Sequence, residues 1–146
     1  MENAFIINGG KPLKGIVELS GAKNIALKVL VASLLFTDKV VIKHIPRIED
    51  IKELIHLLEL LGAKASFTDT NTIEVDPISL HENKVDLFQG SKIRVSFMLF
   101  APLLYKFGEA HIPNPGGCRL GARSIDRVVE GLQALGIEVN YDSDTG

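Results

Sequence analysis

The sequence predicts an α/β fold built from two copies of one unit. Three observations point there: apolar residues fall at helical spacing in two places, each run ends in a glycine followed by a short alternating stretch, and the second run repeats the first with a shift of 74 residues. Ile51, Leu54, Ile55, Leu58 and Leu61 mark one face of a helix, Gly62 follows, and Ala65 and Phe67 lie in an alternating strand. In the second copy Ile125, Val128, Val129, Leu132 and Leu135 repeat the face, Gly136 the stop, and Val139 and Tyr141 the strand. A glycine just past the last periodic residue suits the left-handed position that closes a helix. A repeat of this kind constrains architecture more firmly than local propensity does.

Taken in order from the amino end, Phe5-Ile6-Ile7 is a strand ended by Asn8-Gly9-Gly10, and residues 15–19 form a second strand that runs into Ser20-Gly21, a plausible helix cap. Residues 23–35 (KNIALKVLVASLL) and 92–104 (KIRVSFMLFAPLL) align at a shift of 69. Both are apolar nearly all round, so both are expected to be central buried helices. A short strand follows each, at 40–42 and 110–112, and each leads to Ile-Pro, at Ile45-Pro46 and Ile112-Pro113, where proline favours an extended residue before it. A strand at 72–75 separates the copies. The expected division is therefore amino-terminal strands at 1–19, a first unit at 20–76 and a second at 77–146. The growth of the shift from 69 to 74 places about five extra residues of the second unit within 114–123, NPGGCRLGAR. An insertion on one copy of a repeat marks a loop with its own role. The polar stretch 142–146 directly follows a strand with no covering element, the pattern expected of a chain cut from something longer.

The 146 residues carry 16 Lys and Arg against 18 Asp and Glu, a single Cys and no Trp, and 46% are hydrophobic. That length supports a core without staples. A near-neutral balance with no basic cluster argues against nucleic acid as the main partner, because neutralising phosphates requires such a patch. One cysteine excludes a disulfide framework and points to a cytoplasmic setting. The longest apolar stretch, 93–105, is interrupted by Arg94, Ser96 and Pro102 and is too short for a bilayer, so no membrane partner is expected.

Chemistry concentrates in a few places. Ser20-Gly21-Ala22-Lys23-Asn24 heads the first buried helix, where free N–H groups, the positive dipole end and the Lys23 ammonium suit a phosphate or carboxylate. By itself the string reads better as an ordinary capped helix with a solvated lysine. Arg94 lies one turn into an otherwise apolar helix and must pair with a carboxylate, reach a ligand or snorkel; of these, structural pairing is favoured by the residue alone. The loop Pro115-Gly116-Gly117-Cys118-Arg119-Leu120-Gly121-Ala122-Arg123 is the strongest local signal. A thiol beside arginines in a glycine-rich loop reads as reactive, because positive neighbours depress its pKa and such a loop is not core. Ser124 and Asp126 fit the cap and first turn of the second amphipathic helix. His44, His81 and His111 have no partner at metal-ligand spacing, so no metal site is expected.

With these residues assembled, the chain resembles the UDP-N-acetylglucosamine enolpyruvyl (carboxyvinyl) transferase family of the EPSP synthase superfamily. The likeness lies in Ser20-Gly21-Ala22-Lys23-Asn24, Arg94, Pro115-Gly116-Gly117-Cys118, Gly121-Ala122-Arg123 and Ile125-Asp126, and runs from Ile7 to about Tyr141. It implies repeated βαβαββ units of an inside-out α/β barrel, here an incomplete domain and an amino-terminal portion, with substrates bound between two domains. The implied reaction moves the enolpyruvyl group of phosphoenolpyruvate to the 3′-hydroxyl of UDP-N-acetylglucosamine and releases phosphate, the first committed step of peptidoglycan synthesis, with no metal or organic cofactor. Carried over by residue, Lys23, Asn24, Cys118 and Arg123 would bind phosphoenolpyruvate, and Cys118 would donate the proton and be alkylated by fosfomycin. Arg94, Arg123, Ser124, Ile125, Asp126 and Arg127 would bind the nucleotide sugar. Ser124 stands where the family often has proline, Val128 where it often has histidine and Met98 where an aromatic is frequent. These departures fall on the nucleotide contacts rather than the phosphoenolpyruvate site.

Family members are much longer, so this chain alone is expected to be inactive. The alternatives are a non-catalytic module that binds a nucleotide sugar or an anion, and a transferase like that of the shikimate pathway, whose usual signatures are absent. An incomplete repeat domain would also expose apolar faces and invite self-association.

Overall fold

The computed structural model describes residues 4–116 and 124–143. Its centre is a pair of helices, α1 (Lys23–Ser33) and α2 (Glu49–Leu60), with strand β1 (Val40–Ile42) between them and strands β2 (Lys64–Asp69) and β3 (Thr72–Asp76) after them. The strands form one antiparallel sheet in the order β1-β3-β2, so the strand expected to separate the two units is the central strand of the first. Val75 pairs with Val40 on one side and with Ala65 on the other. Ile73, Val75 and Ala65 face inward and are buried, with α2 packed against β2. Leu30, Leu34, Ile51, Leu54, Leu57, Leu58 and Leu61 fill the space between. Burying each such side chain is worth about 1.5–3 kcal/mol before entropic costs are counted.

The helix stops are alike in both units. Gly62, at φ 99°, donates its N–H to the Glu59 carbonyl at 2.9 Å, and Ala63 donates to Leu58 at 3.0 Å. After α5 (Asp126–Ala134), Gly136 has φ 84°, and the N–H groups of Gly136 and Ile137 reach the carbonyls of Gln133 and Leu132 at 2.9 and 3.0 Å. Both are the paired closing bonds of a Schellman motif.

Four expectations require correction. Residues 5–7 and 15–19 are not strands: they make no ladder among the described residues, and Phe5, Ile6, Ile7, Ile16, Val17 and Leu19 are exposed, so these stretches bury none of the apolar surface that would hold a strand in place. The stretch 92–104 is not one α-helix. After a short α3 (Leu87–Gly90), a 3₁₀ helix at Arg94–Leu99 runs into α4 (Phe100–Phe107). Pro102 explains the break, since it cannot donate to the carbonyl four residues back and is tolerated only in the first turn of α4; Ser96 Oγ also ties down the carbonyls of Gly90 and Ile93, at 2.6 and 2.8 Å.

Third, α1 is buried on one side only. Ala26, Leu27, Leu30 and Val31 face the core, while Ile25 is 65% exposed. Fourth, the strands expected in the second unit are absent among the described residues. The 110–112 stretch makes a single parallel bridge, Lys84 to His111, and 138–141 makes none. In the first unit β1 and β2 never touch and both bond to β3. The described residues contain no counterpart of β3 for the second unit, so among them its two outer stretches lack the central strand that pairs their counterparts in the first. No helix among the described residues is long and apolar enough to cross a membrane.

Candidate functional site

The amino end of α1 packs against the 3₁₀ helix, and the two border an open pocket of about 580 Å³. Lys23, Asn24 and Lys28 of α1, Asp50 of α2, and Lys92 and Arg94 line it, with Leu27, Phe97 and Met98 as apolar wall. Three residues singled out by sequence, Lys23, Asn24 and Arg94, thus meet in one place from two elements. Lys23 does not stand free: its Nζ is 2.6 Å from Asp50 Oδ2. Both side chains are well exposed, so solvent screens the pair and its worth is at most about 1 kcal/mol. Such a pair can exchange its carboxylate for a more highly charged external anion at little cost.

Lys92 is held in the same way. Its Nζ lies 3.3 Å from Glu53 Oε2 and 4.9 Å from the centre of the Phe88 ring. Asp50 and Glu53 are three residues apart on α2 and therefore on neighbouring positions of one face. Arg94 opens the 3₁₀ helix rather than lying one turn into a helix, and its guanidinium carbon is 6.0 Å from the centre of the Phe97 ring. Among the described residues Lys23, Lys28, Lys92 and Arg94 outnumber the one lining carboxylate, Asp50, so the pocket favours anions.

Two glycines fix the frame. A Cβ on Gly21 would overlap the carbonyl oxygen of His44, which itself sits at φ 61°, and a Cβ on Gly116 would overlap that of Ser91. The first contact sets the entry of α1. The second pins the chain just before the cysteine loop to Ser91, itself a lining residue of the pocket. Ser20 is not the cap of α1: the N-cap is Ala22, with no side-chain bond, which leaves the N–H of Lys23 without an intrahelical or capping acceptor.

Residues 117–123, including Cys118 and Arg123, lie outside the described residues. Beyond them Ser124 Oγ accepts the Asp126 N–H at 2.9 Å, so it caps the first turn of α5 from one residue before the formal N-cap, Ile125. Ile125 and Asp126 line a second cavity of about 510 Å³, whose apolar side comes from Phe97, Phe100, Leu104 and Ile112. Arg127 is exposed and lines neither cavity. The nucleotide-binding set expected from sequence is therefore divided, with Arg94 in the first cavity, Ile125 and Asp126 in the second, and Phe97 bordering both. The sequence reading missed Asp50, Lys28 and Lys92. Lys92 was recoverable, because the shift of 69 that aligns the two buried segments places it on Lys23.

A helix amino end that presents lysine and asparagine within a repeated α/β unit has known relatives. The fold is shared with the enolpyruvyl transferase NikO from Streptomyces tendae, at a TM-score of 0.62 and 25% identity, over 68% of this chain and 23% of that one. The family model for EPSP synthase (3-phosphoshikimate 1-carboxyvinyltransferase) matches residues 7–146, and the chain belongs to that family. Among curated relatives, the UDP-N-acetylglucosamine 1-carboxyvinyltransferases of Prochlorococcus marinus strains NATL2A and MIT 9301 are 42% and 46% identical over 94% of this chain, which covers 30% of each. The enzyme of the same name from Helicobacter pylori strain Shi470 is 42% identical over 93% of the chain and 32% of its own length. The chain spans about a third of the length of these relatives.

Proposed function

We propose that this chain carries part of the active site of a transferase that moves the enolpyruvyl group of phosphoenolpyruvate to the 3′-hydroxyl of UDP-N-acetylglucosamine, a cytoplasmic step of peptidoglycan synthesis. The observation that carries the reading is the convergence of Lys23, Asn24 and Arg94 on one cationic pocket, beside the Gly116–Ser91 contact from which the cysteine loop departs. The names of the relatives supply the acceptor, UDP-N-acetylglucosamine, and the carboxyvinyl group transferred; phosphoenolpyruvate as the donor follows from the resemblance.

In this reading Lys23 and Asn24 hold the phosphate of phosphoenolpyruvate, Lys23 leaving Asp50 to do so. Arg123 adds a second cation. The Cys118 thiol gives its proton to the methylene carbon while the 3′-oxygen bonds to the adjacent carbon, and the hydroxyl proton passes to a base outside this chain's assigned residues. The tetrahedral adduct then loses phosphate while one methyl proton returns to the Cys118 thiolate, which regenerates the carbon–carbon double bond as a vinyl ether of the sugar. Fixed cations contribute most where phosphate charge must be offset in a site shielded from water. Arg94 and the turn Ser124–Arg127 hold the nucleotide sugar, whose bulk bridges the two cavities at Phe97. Because the chain is about a third of its relatives' length, turnover belongs to a protein of their full length and the isolated chain is inactive.

The test uses such a full-length protein. Incubation with fosfomycin in the presence of the nucleotide sugar should add one inhibitor mass to the peptide that contains Cys118, and Cys118→Ser should slow turnover by about 100-fold or more, the usual scale for losing a general acid. An unmodified Cys118 peptide, or an unchanged rate in the serine variant, would overturn the assignment.

A further inference from the structure

We propose that Lys92, with Arg94, forms a second phosphate-group subsite in the pocket whose first subsite is Lys23 with Asn24; this rests on the transferase reading only in taking a phosphate compound as the occupant. The argument starts from the repeat. At the shift of 69, Lys92 is the second unit's counterpart of Lys23, and Gly90 the counterpart of Gly21. The structure honours that equivalence: added Cβ atoms on Gly21 and Gly90 would each meet the proline of the following Ile-Pro, Pro46 and Pro113. Both lysines line one pocket, Lys23 from α1 and Lys92 from the stretch just before the 3₁₀ helix.

Both are also held alike, each by a carboxylate of α2, Asp50 for Lys23 and Glu53 for Lys92, at 2.6 and 3.3 Å. The Lys92 and Glu53 side chains remain 34% and 29% exposed, so the pair is reachable by an oxyanion from the pocket. Glu53 in this account is the internal anion that occupies Lys92 while the subsite is empty. A phosphate group displaces it, gaining the ammonium of Lys92 and the planar donors of Arg94 in the same stretch of chain. Two such subsites fit a pair of phosphate-bearing ligands better than one.

The experiment is a phosphorus NMR titration of the 146-residue chain with inorganic phosphate at low ionic strength. Lys92→Gln should raise the Kd roughly fivefold, and Lys92→Arg should restore binding to within about twofold. Glu53→Gln should lower the Kd, since it removes the competing anion. That opposite sign separates binding from scaffolding: equal weakening by Lys92→Gln and Glu53→Gln would mean that the pair merely braces α2, and the proposal falls. It falls equally if Lys92→Gln binds phosphate as the parent chain does, or if the parent chain binds none. No turnover enters these readouts. A full-length enzyme that still forms the fosfomycin adduct alongside a flat Lys92→Gln titration would sink the subsite and spare the transferase reading, and the converse pattern would do the reverse.

Discussion

At the residue scale the site depends on a backbone contact between parts of the chain distant in sequence. Gly21 has ordinary dihedral angles, and its demand is for space: any Cβ there overlaps the His44 carbonyl. That oxygen is backbone, so relief requires moving α1 or the loop, and Gly21→Ala should destabilise the chain by about 2–3 kcal/mol, read as a lower urea midpoint. Because the shift displaces Lys23, phosphate affinity should fall with it, whereas Gly15→Ala, with nothing near its Cβ position, should change neither. The string Ser20-Gly21-Ala22-Lys23-Asn24 reads by itself as an ordinary capped helix, with an anion site as its alternative, and Lys23 and Asn24 line the pocket. The reason for its glycine was not visible, because the constraint comes from a left-handed histidine 23 positions away. Asp50 was hidden similarly. Near a helix start an acidic residue reads as a dipole partner, and only the packing of α2 on α1 turns it toward Lys23.

The same reasoning at the scale of elements separates what a repeat copies from what it does not. Both amphipathic helices end in the same pair of closing bonds, and in both the glycine is at positive φ. Their surroundings differ: a Cβ on Gly62 would crowd the His81 ring and lie 2.6 Å from the Ser79 carbonyl oxygen, while one on Gly136 would meet nothing. Gly62→Ala should therefore cost about 3 kcal/mol and Gly136→Ala no more than about 1, the conformational penalty alone. Equal costs in denaturant titrations would show that the two stops are equally embedded. At the sheet edge, Lys39 is hydrogen-bonded to Glu74 of β3 at 2.9 Å, and that bond, with the attraction of the Glu74 charge, raises its pKa above 10.5. A raised folded-state value stabilises below the unfolded pKa and ceases to do so as pH climbs through the folded one. The small stability advantage of the parent chain over Glu74→Gln should accordingly be constant through neutral pH and shrink only above about pH 10.5. Helix periodicity made these elements legible. The 3₁₀ stretch was not, since Pro102 and the two bonds of Ser96 decide it and neither alters the apolar pattern.

Across the whole molecule the buried hydrophobic core extends from Ala26 to Leu103, and α5 contributes no buried residue to it. The first unit owes its order to β3, which satisfies the backbones of both neighbouring strands at once. In the second unit the described residues hold no such strand, and 110–112 and 138–141 are left beside a cavity of about 510 Å³ lined by apolar side chains of α4 and α5. Two copies of nearly the same pattern thus reach different degrees of order because pairing, unlike periodicity, needs a partner. Hydrogen exchange should report this directly. Amides of α2 and β3 should exchange only through global opening, while those of α5 and 137–143 should exchange orders of magnitude faster through local opening. In a protein of the relatives' full length, a strand that takes the place of β3 in the second unit would bond to 110–112 and 138–141 together, and protection should then rise at both stretches in concert. Protection rising at only one, or already equal to that of β3 in the 146-residue chain, would mean that the second unit is stabilised by something other than the strand order of the first.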